Sequence, residues 1–304
     1  MKKTFLFAFI LSFSAFLSAC GTSDTQDNAE PVGEEGQELQ ETFTIGVIPA
    51  QSEGAMEGAM NNLQALLSDK LSREVEIEVY PDYNGVVEAM NYEQIDMAFL
   101  GPLTYVIAQE KGGAKAIITQ LVDGEPFYHS YFITHKDNPM TSIEELLSNP
   151  AEIDFAFGDI NSTSGSLIPS IELQDRGVYV SQEDNKFNSV RYTGSHDATA
   201  LSVQNKQVDA GAIDSAIYNQ LIESGKIDKD QLKIIWESEK LFQYPWAVHK
   251  GTDDETIKQL REAFLAIEDQ EILDAFGASG FTEANSEDYD SILQAAKKQG
   301  IIKE

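Results

Sequence analysis

The chain has 304 residues, of which 21 are Lys or Arg and 51 are Asp or Glu, so its formal net charge is −30. This acidity excludes nucleic-acid binding and adsorption to anionic lipid surfaces, both of which need a basic surface. A single cysteine excludes a disulfide framework and a cysteine-based metal cluster, and we expect no cofactor. Hydrophobic residues make up 42% of the chain, enough for one large domain or two smaller ones.

The N-terminus has the pattern of a bacterial lipoprotein signal. Two lysines precede an uncharged apolar run at 4–17, which is shorter than the ~20 residues of a membrane-spanning helix. The following residues, 17–20, resemble the lipoprotein box, which implies cleavage before Cys20 and lipidation of that residue. The alternative is an ordinary secretory signal with an incidental cysteine. Residues 21–42 contain seven acidic residues and no Lys or Arg, which predicts an unfolded tether.

From residue 43 onward, strand patterns alternate with helix patterns, which is typical of an α/β protein with a mainly parallel sheet. Strands are predicted at 45–48, 74–80 and 96–100. The first helix has Ser52 as its predicted N-cap, and its apolar face consists of Met56, Met60, Leu63, Leu67 and Leu71. Further helices are predicted from about residue 84 and from Pro102.

The second half of the chain shows the same alternation. Strands are predicted at 153–157, 208–213 and 232–236, and the helices between them end at Gly177 and near Gly225. Two capping boxes predict helix starts, one formed by Thr141 with Glu144 and the other by Thr252 with Glu255. Two more helices close the chain, the last at about 286–299.

Two parts of the sequence match one another at a nearly constant offset. Residues 94–98 parallel 207–211, and the same offset of 113 places Tyr83 on His196. The match reflects either a shared origin or the general likeness of strand–helix–strand units. In both cases the loops of two similar lobes face each other, which predicts a ligand cleft between them. Tyr83 and His196 are expected to approach this cleft from opposite lobes.

The densest run of polar residues is 159–166, which follows a predicted buried strand and opens a helix. Ser162, Thr163 and Ser164 can donate hydrogen bonds to an oxyanion, and the first N–H groups of the helix point the same way. The alternative is an ordinary N-cap, which needs one hydroxyl. Pro169 predicts that the helix begins irregularly or becomes regular only near that residue.

His196 lies in the second candidate segment, at the repeat position of Tyr83. Its imidazole can donate to an oxyanion and titrates near neutrality; the alternative is a structural histidine. Catalysis has no support, because the sequence lacks a nucleophile elbow, a phosphate-binding loop with its Lys, and a His-Glu-x-x-His motif. The four histidines have no metal-binding spacing, so we expect no metal site.

Six features in this order resemble a known family. They are the box at Cys20, the segments 82–90 and 96–102, the run 161–165 followed by Pro169, and the segments 194–198 and 208–215. Together they are similar to the substrate-binding proteins of phosphate, phosphite and phosphonate ABC importers, over about residues 43–284. The resemblance implies a type II periplasmic-binding-protein fold, an α/β fold in which two lobes are joined by two crossing strands and enclose a ligand cleft.

The resemblance also implies a division of the chain. The crossing strands are expected near 127–135 and 243–249. The expected limits are 1–19 for the lipoprotein signal peptide, 20–42 for the lipidated cysteine and acidic tether, 43–130 plus 245–304 for lobe 1, and 131–244 for lobe 2.

In the family, hydroxyl groups, a histidine and two tyrosines hold the phosphonyl oxygens, and an acidic residue can face the substituent on phosphorus. Carried over to this chain, the ligand-binding residues are Tyr83, Tyr128, Ser162, Thr163, Ser164, His196, Asp214 and Tyr244. Family members often have another acid before the proline of the second crossing, where this chain has Tyr244 before Pro245. One acid fewer weakens the case for an aminoalkyl cation.

These features predict an extracytoplasmic binding protein that is not an enzyme and is lipid-anchored to the bacterial cell membrane through Cys20. It is expected to capture, as a monomer, a phosphonate, phosphite or phosphate between its lobes and to deliver it to ABC permease subunits with a cytoplasmic ATPase. One alternative keeps the fold for a sulfonate or thiamine precursor, and another is a ligand-sensing partner of a membrane receptor. An extracellular hydrolase is the least favoured reading.

Overall fold

The computed structural model describes residues 42–51 and 57–303. The predicted signal peptide, Cys20, the tether before residue 42 and the predicted cap Ser52 lie outside the described residues. In the ranges that are described, no helix is long and apolar enough to cross a membrane.

The described residues form thirteen strands and ten α-helices. The strands are β1 (Phe43–Val47), β2 (Val75–Val79), β3 (Met97–Phe99), β4 (Lys115–Leu121), β5 (Phe127–Tyr128), β6 (Ser130–His135), β7 (Asp154–Phe157), β8 (Ser189–Tyr192), β9 (Ala210–Asp214), β10 (Leu232–Glu237), β11 (Leu241–Phe242), β12 (Pro245–Val248) and β13 (Gly280–Glu283). The helices are α1 (Glu57–Leu71), α2 (Tyr83–Asn91), α3 (Pro102–Gly112), α4 (Ile143–Leu146), α5 (Ile168–Asp175), α6 (His196–Gln204), α7 (Ser215–Glu223), α8 (Asp254–Leu265), α9 (Gln270–Ala275) and α10 (Asp290–Lys298).

Two larger sheets organise these elements. The first has the strand order β13–β4–β12–β3–β1–β2, and the second has the order β10–β6–β9–β7–β8. We call residues 43–121 and 245–303 the six-stranded half, and residues 130–237 the five-stranded half. In each half one central strand runs parallel to two neighbours, β1 beside β2 and β3, and β7 beside β8 and β9. Polar loops therefore collect at the carboxyl edge of both sheets.

The chain crosses between the halves twice, side by side. It leaves β4 through β5 to reach β6, and it returns from β10 through β11 to β12. Strands β5 and β11 pair antiparallel, with Leu241 opposite Tyr128 and Phe242 opposite Phe127. The predicted crossing strands overlap these segments, while the limits of the two lobes stay a prediction.

The internal repeat places an aspartate in each half that binds the first residues of a central strand in the same way. At the start of β1, the Thr44 N–H donates to Asp96 Oδ2 at 2.8 Å, and the Asp96 N–H donates to the Thr44 carbonyl oxygen at 2.8 Å. At the start of β7, the Asp154 N–H donates to Asp209 Oδ2 at 2.8 Å, and the Asp209 N–H donates to the Asp154 carbonyl oxygen at 2.9 Å. One aspartate in each half thus fixes the register of a central strand.

Both predicted capping boxes are wrong by one residue. Helix α4 is capped by the hydroxyl of Ser142 rather than by Thr141. Helix α8 is capped by the carboxylate of Asp253 rather than by Thr252. In each pair both neighbours carry a side chain that can cap a helix, so the pattern alone does not choose between them.

Candidate functional site

The predicted ligand-binding residues come from six different places along the chain and meet where the two halves face each other. All eight side chains are buried, with exposed fractions of 2% or less. The six-stranded half supplies Tyr83, the five-stranded half supplies Ser162, Thr163, Ser164, His196 and Asp214, and the two crossings supply Tyr128 and Tyr244.

An irregular helix start holds the Ser-Thr-Ser run. Ser162 is the N-cap, and its hydroxyl accepts from the Gly165 N–H at 3.0 Å. The segment Thr163–Leu167 forms a π-helical turn, and α5 becomes regular one residue before Pro169. The predicted irregular start is therefore confirmed, and π-helical turns of this kind are frequent at functional sites.

Gly165 allows this turn to pack closely against its surroundings. A Cβ atom at this position would lie 2.9 Å from Ser162 Oγ, 3.1 Å from Gly158 Cα and 3.1 Å from His196 Cε1. Only a residue without a side chain leaves room for the imidazole beside the hydroxyl run.

The Thr163 hydroxyl joins the two halves. It accepts a hydrogen bond from the Leu103 N–H at 2.8 Å, in the first turn of α3. The N-cap of α3 is Gly101, which has no side chain to satisfy the first N–H groups of the helix. Thr163 caps this helix from the opposite half and still has its own O–H to donate.

The contacts of His196 define which ring nitrogen carries the hydrogen. Nδ1 accepts from the Asp214 N–H at 3.3 Å, so in the neutral ring the hydrogen lies on Nε2, 3.2 Å from Tyr244 Oη. Burial lowers the pKa of His196 to about 4, partly opposed by Asp197. The ring is therefore a neutral donor around pH 7, and the expectation that it titrates near neutrality is wrong.

Asp214 is a buried carboxyl group at the end of β9. Its Oδ1 accepts from the N–H groups of Ala216 at 2.7 Å and Ile217 at 3.0 Å, which makes it the N-cap of α7. Burial raises the pKa of Asp214 to about 7, against the opposing effect of these two N–H groups and the Tyr244 hydroxyl. The carboxyl group is consequently close to half protonated at neutral pH.

Three hydroxyl groups of the site are buried without a hydrogen-bond partner among the described residues. They belong to Tyr83, Tyr128 and Ser164. Burial raises the pKa of both tyrosines well above the usual value, so both keep their proton and can donate it. An unsatisfied buried polar group costs about 1–3 kcal/mol, so three of them together indicate a place for an acceptor-rich ligand.

The halves are closed over this site. The cavity beside Asp214 and Tyr244 has a volume of about 20 Å³, and Gln51 and Phe99 also line it. A cavity of that size has room for roughly one water molecule. Because the site residues are almost fully buried, a larger ligand reaches them only when the halves separate.

The amide of Leu103 was missed by reasoning from the sequence. A backbone N–H group carries no side-chain signal, and its role here depends on a hydroxyl 60 residues further along the chain. The available signal was the start of α3, where glycine and proline leave the first turn without a cap of its own.

Comparison with known proteins gives a consistent result. The sequence matches, over residues 45–289, the family described as ABC transporter, phosphonate, periplasmic substrate-binding protein. It is 29% identical over 277 residues to the phosphate-import protein PhnD of Mycolicibacterium smegmatis, covering 88% of this chain and 83% of that protein. It is 27% identical to the phosphonates-binding periplasmic protein of Escherichia coli, covering 87% and 80% respectively. The structure of PhnD1 from Prochlorococcus marinus in complex with methylphosphonate is similar with a TM-score of 0.77 and 25% identity, covering 86% of this chain and 99% of that chain.

Proposed function

Because the chain belongs to the family of periplasmic substrate-binding proteins of phosphonate ABC transporters, we propose that its buried polar site encloses a phosphorus oxyanion. The fold is the type II periplasmic-binding-protein fold, with two α/β halves joined by paired crossings. Proteins of this family capture a substrate outside the cytoplasm for an ABC importer, and binding rather than catalysis is their role.

The observation that carries the proposal is the set of buried donors without partners. The hydroxyls of Tyr83, Tyr128 and Ser164 come from three different elements and make no hydrogen bond within the described residues, although hydroxyls of the Ser-Thr-Ser run lie close enough to both tyrosines to oppose the rise of their pKa. The Nε2–H group of His196 already faces the Tyr244 hydroxyl oxygen at 3.2 Å, and it becomes a fourth donor where the ligand takes the place of that oxygen. A tetrahedral phosphorus oxyanion offers several acceptor oxygens in different directions, and hydrogen bonds to a charged acceptor are short and strong.

Tyr244 favours an oxyanion with a small substituent. It occupies the position before the proline of the second crossing, where members of the family often have a second acidic residue. Its ring packs against Tyr128 at 5.4 Å and Phe99 at 5.7 Å between ring centres. An aromatic ring fills this space and provides no charge for an ammonium group, so we propose phosphite, methylphosphonate or phosphate as ligands before 2-aminoethylphosphonate.

Isothermal titration calorimetry tests the ligand class directly. Phosphate, phosphite, methylphosphonate and 2-aminoethylphosphonate are titrated into the protein, with methanesulfonate as an anion of similar shape without phosphorus. We expect binding of at least one of the three small phosphorus oxyanions and weaker or no binding of 2-aminoethylphosphonate. No heat with any phosphorus compound contradicts the proposal, and tight binding of methanesulfonate moves the ligand class to sulfonates.

Ser164→Ala tests the site. The Ser164 hydroxyl lies near Tyr128 and Tyr244 but makes no hydrogen bond to the protein, so its removal should change the unfolding free energy little. Loss of one hydrogen bond to a charged ligand predicts a free-energy loss of about 1.5–3 kcal/mol in binding. Ser166→Ala, two residues along in the same turn, is the matched control and should bind normally. Equal affinities of Ser164→Ala and the unmodified protein would place the site elsewhere.

We also propose that the protein is held at the outer face of the membrane by lipid on Cys20 and presents its ligand there, as a monomer, to permease subunits. The proposal rests on the lipoprotein-box pattern around that residue. Cells grown with labelled palmitate should incorporate the label into the unmodified protein but not into Cys20→Ser. Equal labelling of the two proteins, or none in either, contradicts lipid anchoring through Cys20.

A further inference from the structure

Three helix ends at the boundary between the halves are completed by atoms of the opposite half. We propose that the closed conformation is held by these caps supplied across the cleft, and that Gln220 is a latch that controls closure through its contacts with the opposite half. The inference rests on the proposed function only for the choice of ligand in one of its tests.

Gln220 belongs to α7 in the five-stranded half, and all its side-chain hydrogen bonds cross to the six-stranded half. Its Nε2 donates to the carbonyl oxygen of Ala275 at 3.0 Å and also to that of Asp274. Its Oε1 accepts from Gln51 Nε2 at 2.8 Å. One amide group therefore makes three contacts that exist only while the halves are together.

The carbonyl groups that Gln220 contacts are the last two of α9, a helix end where acceptors lack partners within the helix, and that of Asp274 also accepts from the Gly277 N–H at 3.1 Å. The first turns of α3 and α6 are likewise completed by atoms of the opposite half. Thr163 Oγ1 accepts from the Leu103 N–H of α3 at 2.8 Å, and the N–H of His196, the first residue of α6, donates to the Ala50 carbonyl oxygen at 3.1 Å. Apart from the Asp274 carbonyl oxygen, each of these groups loses its partner and must bind water when the halves separate.

With these caps, separating the halves costs a small amount of free energy. Exchanging water for a protein partner contributes about 0.5–1.5 kcal/mol for each hydrogen bond, so the caps bias the equilibrium toward closure without locking it. The apparent affinity for a ligand that needs the closed state falls in proportion to the population of that state. Gln220 lines the small cavity beside Asp214, but its side-chain amide is bound to Gln51, Asp274 and Ala275 of the opposite half, so we expect it to act on the equilibrium.

The latch is tested by measuring the distance between the halves in the full chain. Spin labels are placed on cysteines introduced at the exposed positions Lys229 and Lys258, one in each half, with Cys20→Ser to avoid a third label. In the absence of ligand, Gln220→Ala should increase the population of long distances measured by double electron–electron resonance. Asn219→Ala, an exposed amide in the same helix, is the matched control and should leave the distance distribution unchanged.

Affinity provides the second measurement. Methylphosphonate should bind Gln220→Ala about tenfold more weakly than the unmodified chain, with most of the change in the dissociation rate. Gln220→Glu keeps the side-chain size but presents only acceptors to the two carbonyl oxygens, so its loss should be at least as large. An unchanged distance distribution in Gln220→Ala would overturn the latch, whatever the affinity of that variant.

The two proposals fail in different ways. If methylphosphonate and the other oxyanions give no heat with the unmodified chain, the ligand assignment fails while the ligand-free distances still decide the role of Gln220. If the ligands bind but Gln220→Ala has the distance distribution of the Asn219→Ala control, the latch fails and the ligand assignment stands. Circular dichroism of each variant shows that the comparison is made between folded proteins.

Discussion

Asp214 and His196 touch one another, yet their pKa values shift in opposite directions from one cause. Burial disfavours the charged form of each group, so it raises the pKa of the carboxyl group to about 7 and lowers that of the imidazole to about 4. As a result, the hydrogen-bond donors of the site are neutral, and the carboxyl group of Asp214 changes its charge near physiological pH. An entering anion is thus met by neutral hydrogen-bond donors rather than by fixed positive charge.

Asp214→Asn should change the pH dependence of stability. The folded protein keeps a proton on Asp214 between pH 4 and 7 that the unfolded chain has lost, so this group makes stability fall as pH rises through that window. Asn can serve as the cap without ionising. The difference in unfolding free energy between the variant and the unmodified protein should grow in favour of the variant from pH 5 to pH 8. Its upper limit is about 4 kcal/mol, for a shift of roughly three pKa units.

Urea unfolding at the two pH values measures this gain. His196 contributes the opposite trend between pH 4 and 6.5, because its folded pKa is lowered, but it does so in both proteins and cancels from the comparison. Parallel pH profiles of the two proteins would show that Asp214 is ionised in the folded state throughout.

The sequence supported the identities of the site residues but not their protonation. The Ser-Thr-Ser run and the repeat positions of Tyr83 and His196 were visible as patterns, and the resemblance added Tyr128, Asp214 and Tyr244. Protonation depends on burial and on the partner of each ring nitrogen, and both require the assembled halves. The neutral state of His196 could therefore be obtained only from the structure.

The π-helical turn Thr163–Leu167 has the largest influence on the site among the secondary-structure elements. It adds one residue to a helix start and so presents successive hydroxyl groups to the interior. The turn is held on one side by the Gly158 N–H, which donates to the Gly165 carbonyl oxygen at 2.8 Å, and on the other by Ser130 Oγ, which donates to the Ser164 carbonyl oxygen at 2.6 Å.

Gly165→Ala should disrupt this turn. The new methyl group would lie 2.9–3.1 Å from atoms of Ser162, Gly158 and His196, two of which are held in the predicted site. Overpacking of this kind destabilises by about 1–3 kcal/mol, and here the displaced groups are ligand donors, so we expect binding to be lost together with part of the stability.

Calorimetry and thermal unfolding check the Gly165→Ala prediction. Gly101→Ala is a control at the same boundary, since its methyl group would have contacts of 3.7–3.8 Å and fits without displacement. Normal binding by Gly165→Ala would show that the close packing of this turn is not required.

Elements with a strong periodic pattern were predictable from the sequence, and elements defined by their neighbours were not. The apolar face of α1 is confirmed for Met60, Leu63, Leu67 and Leu71, which are buried, while Met56 lies outside the described residues. Strands β4 and β8 were not predicted, because β4 is apolar along most of its length, like a segment of buried helix, and β8 is only partly buried.

The net charge of −30 belongs to the whole molecule and opposes the approach of an anion. Because no donor in the site is cationic at neutral pH, nothing local compensates for this repulsion at long range. Salt screens charges over about 8–10 Å at moderate ionic strength, so added salt should speed the association of a phosphorus oxyanion severalfold.

Stopped-flow fluorescence measures this rate. Trp246 is buried against Phe99, which in turn contacts Tyr244, and so provides a signal next to the site. The association rate is compared at low and moderate concentrations of sodium chloride. A rate that falls with added salt would mean that a local positive field outweighs the negative charge of the protein.

The position of β12 in the six-stranded sheet has a consequence for the order in which the molecule folds. Strand β4 ends at Leu121, but both of its neighbours in the sheet, β12 and β13, lie after residue 244. All five strands of the other sheet fall within 130–237. A chain stopped at residue 240 should therefore protect the amides of β6, β7 and β9 from hydrogen exchange while β4 exchanges freely, and protected β4 amides would contradict this order. As the chain emerges from the ribosome, the segment that is translated first must wait for the last to complete its sheet.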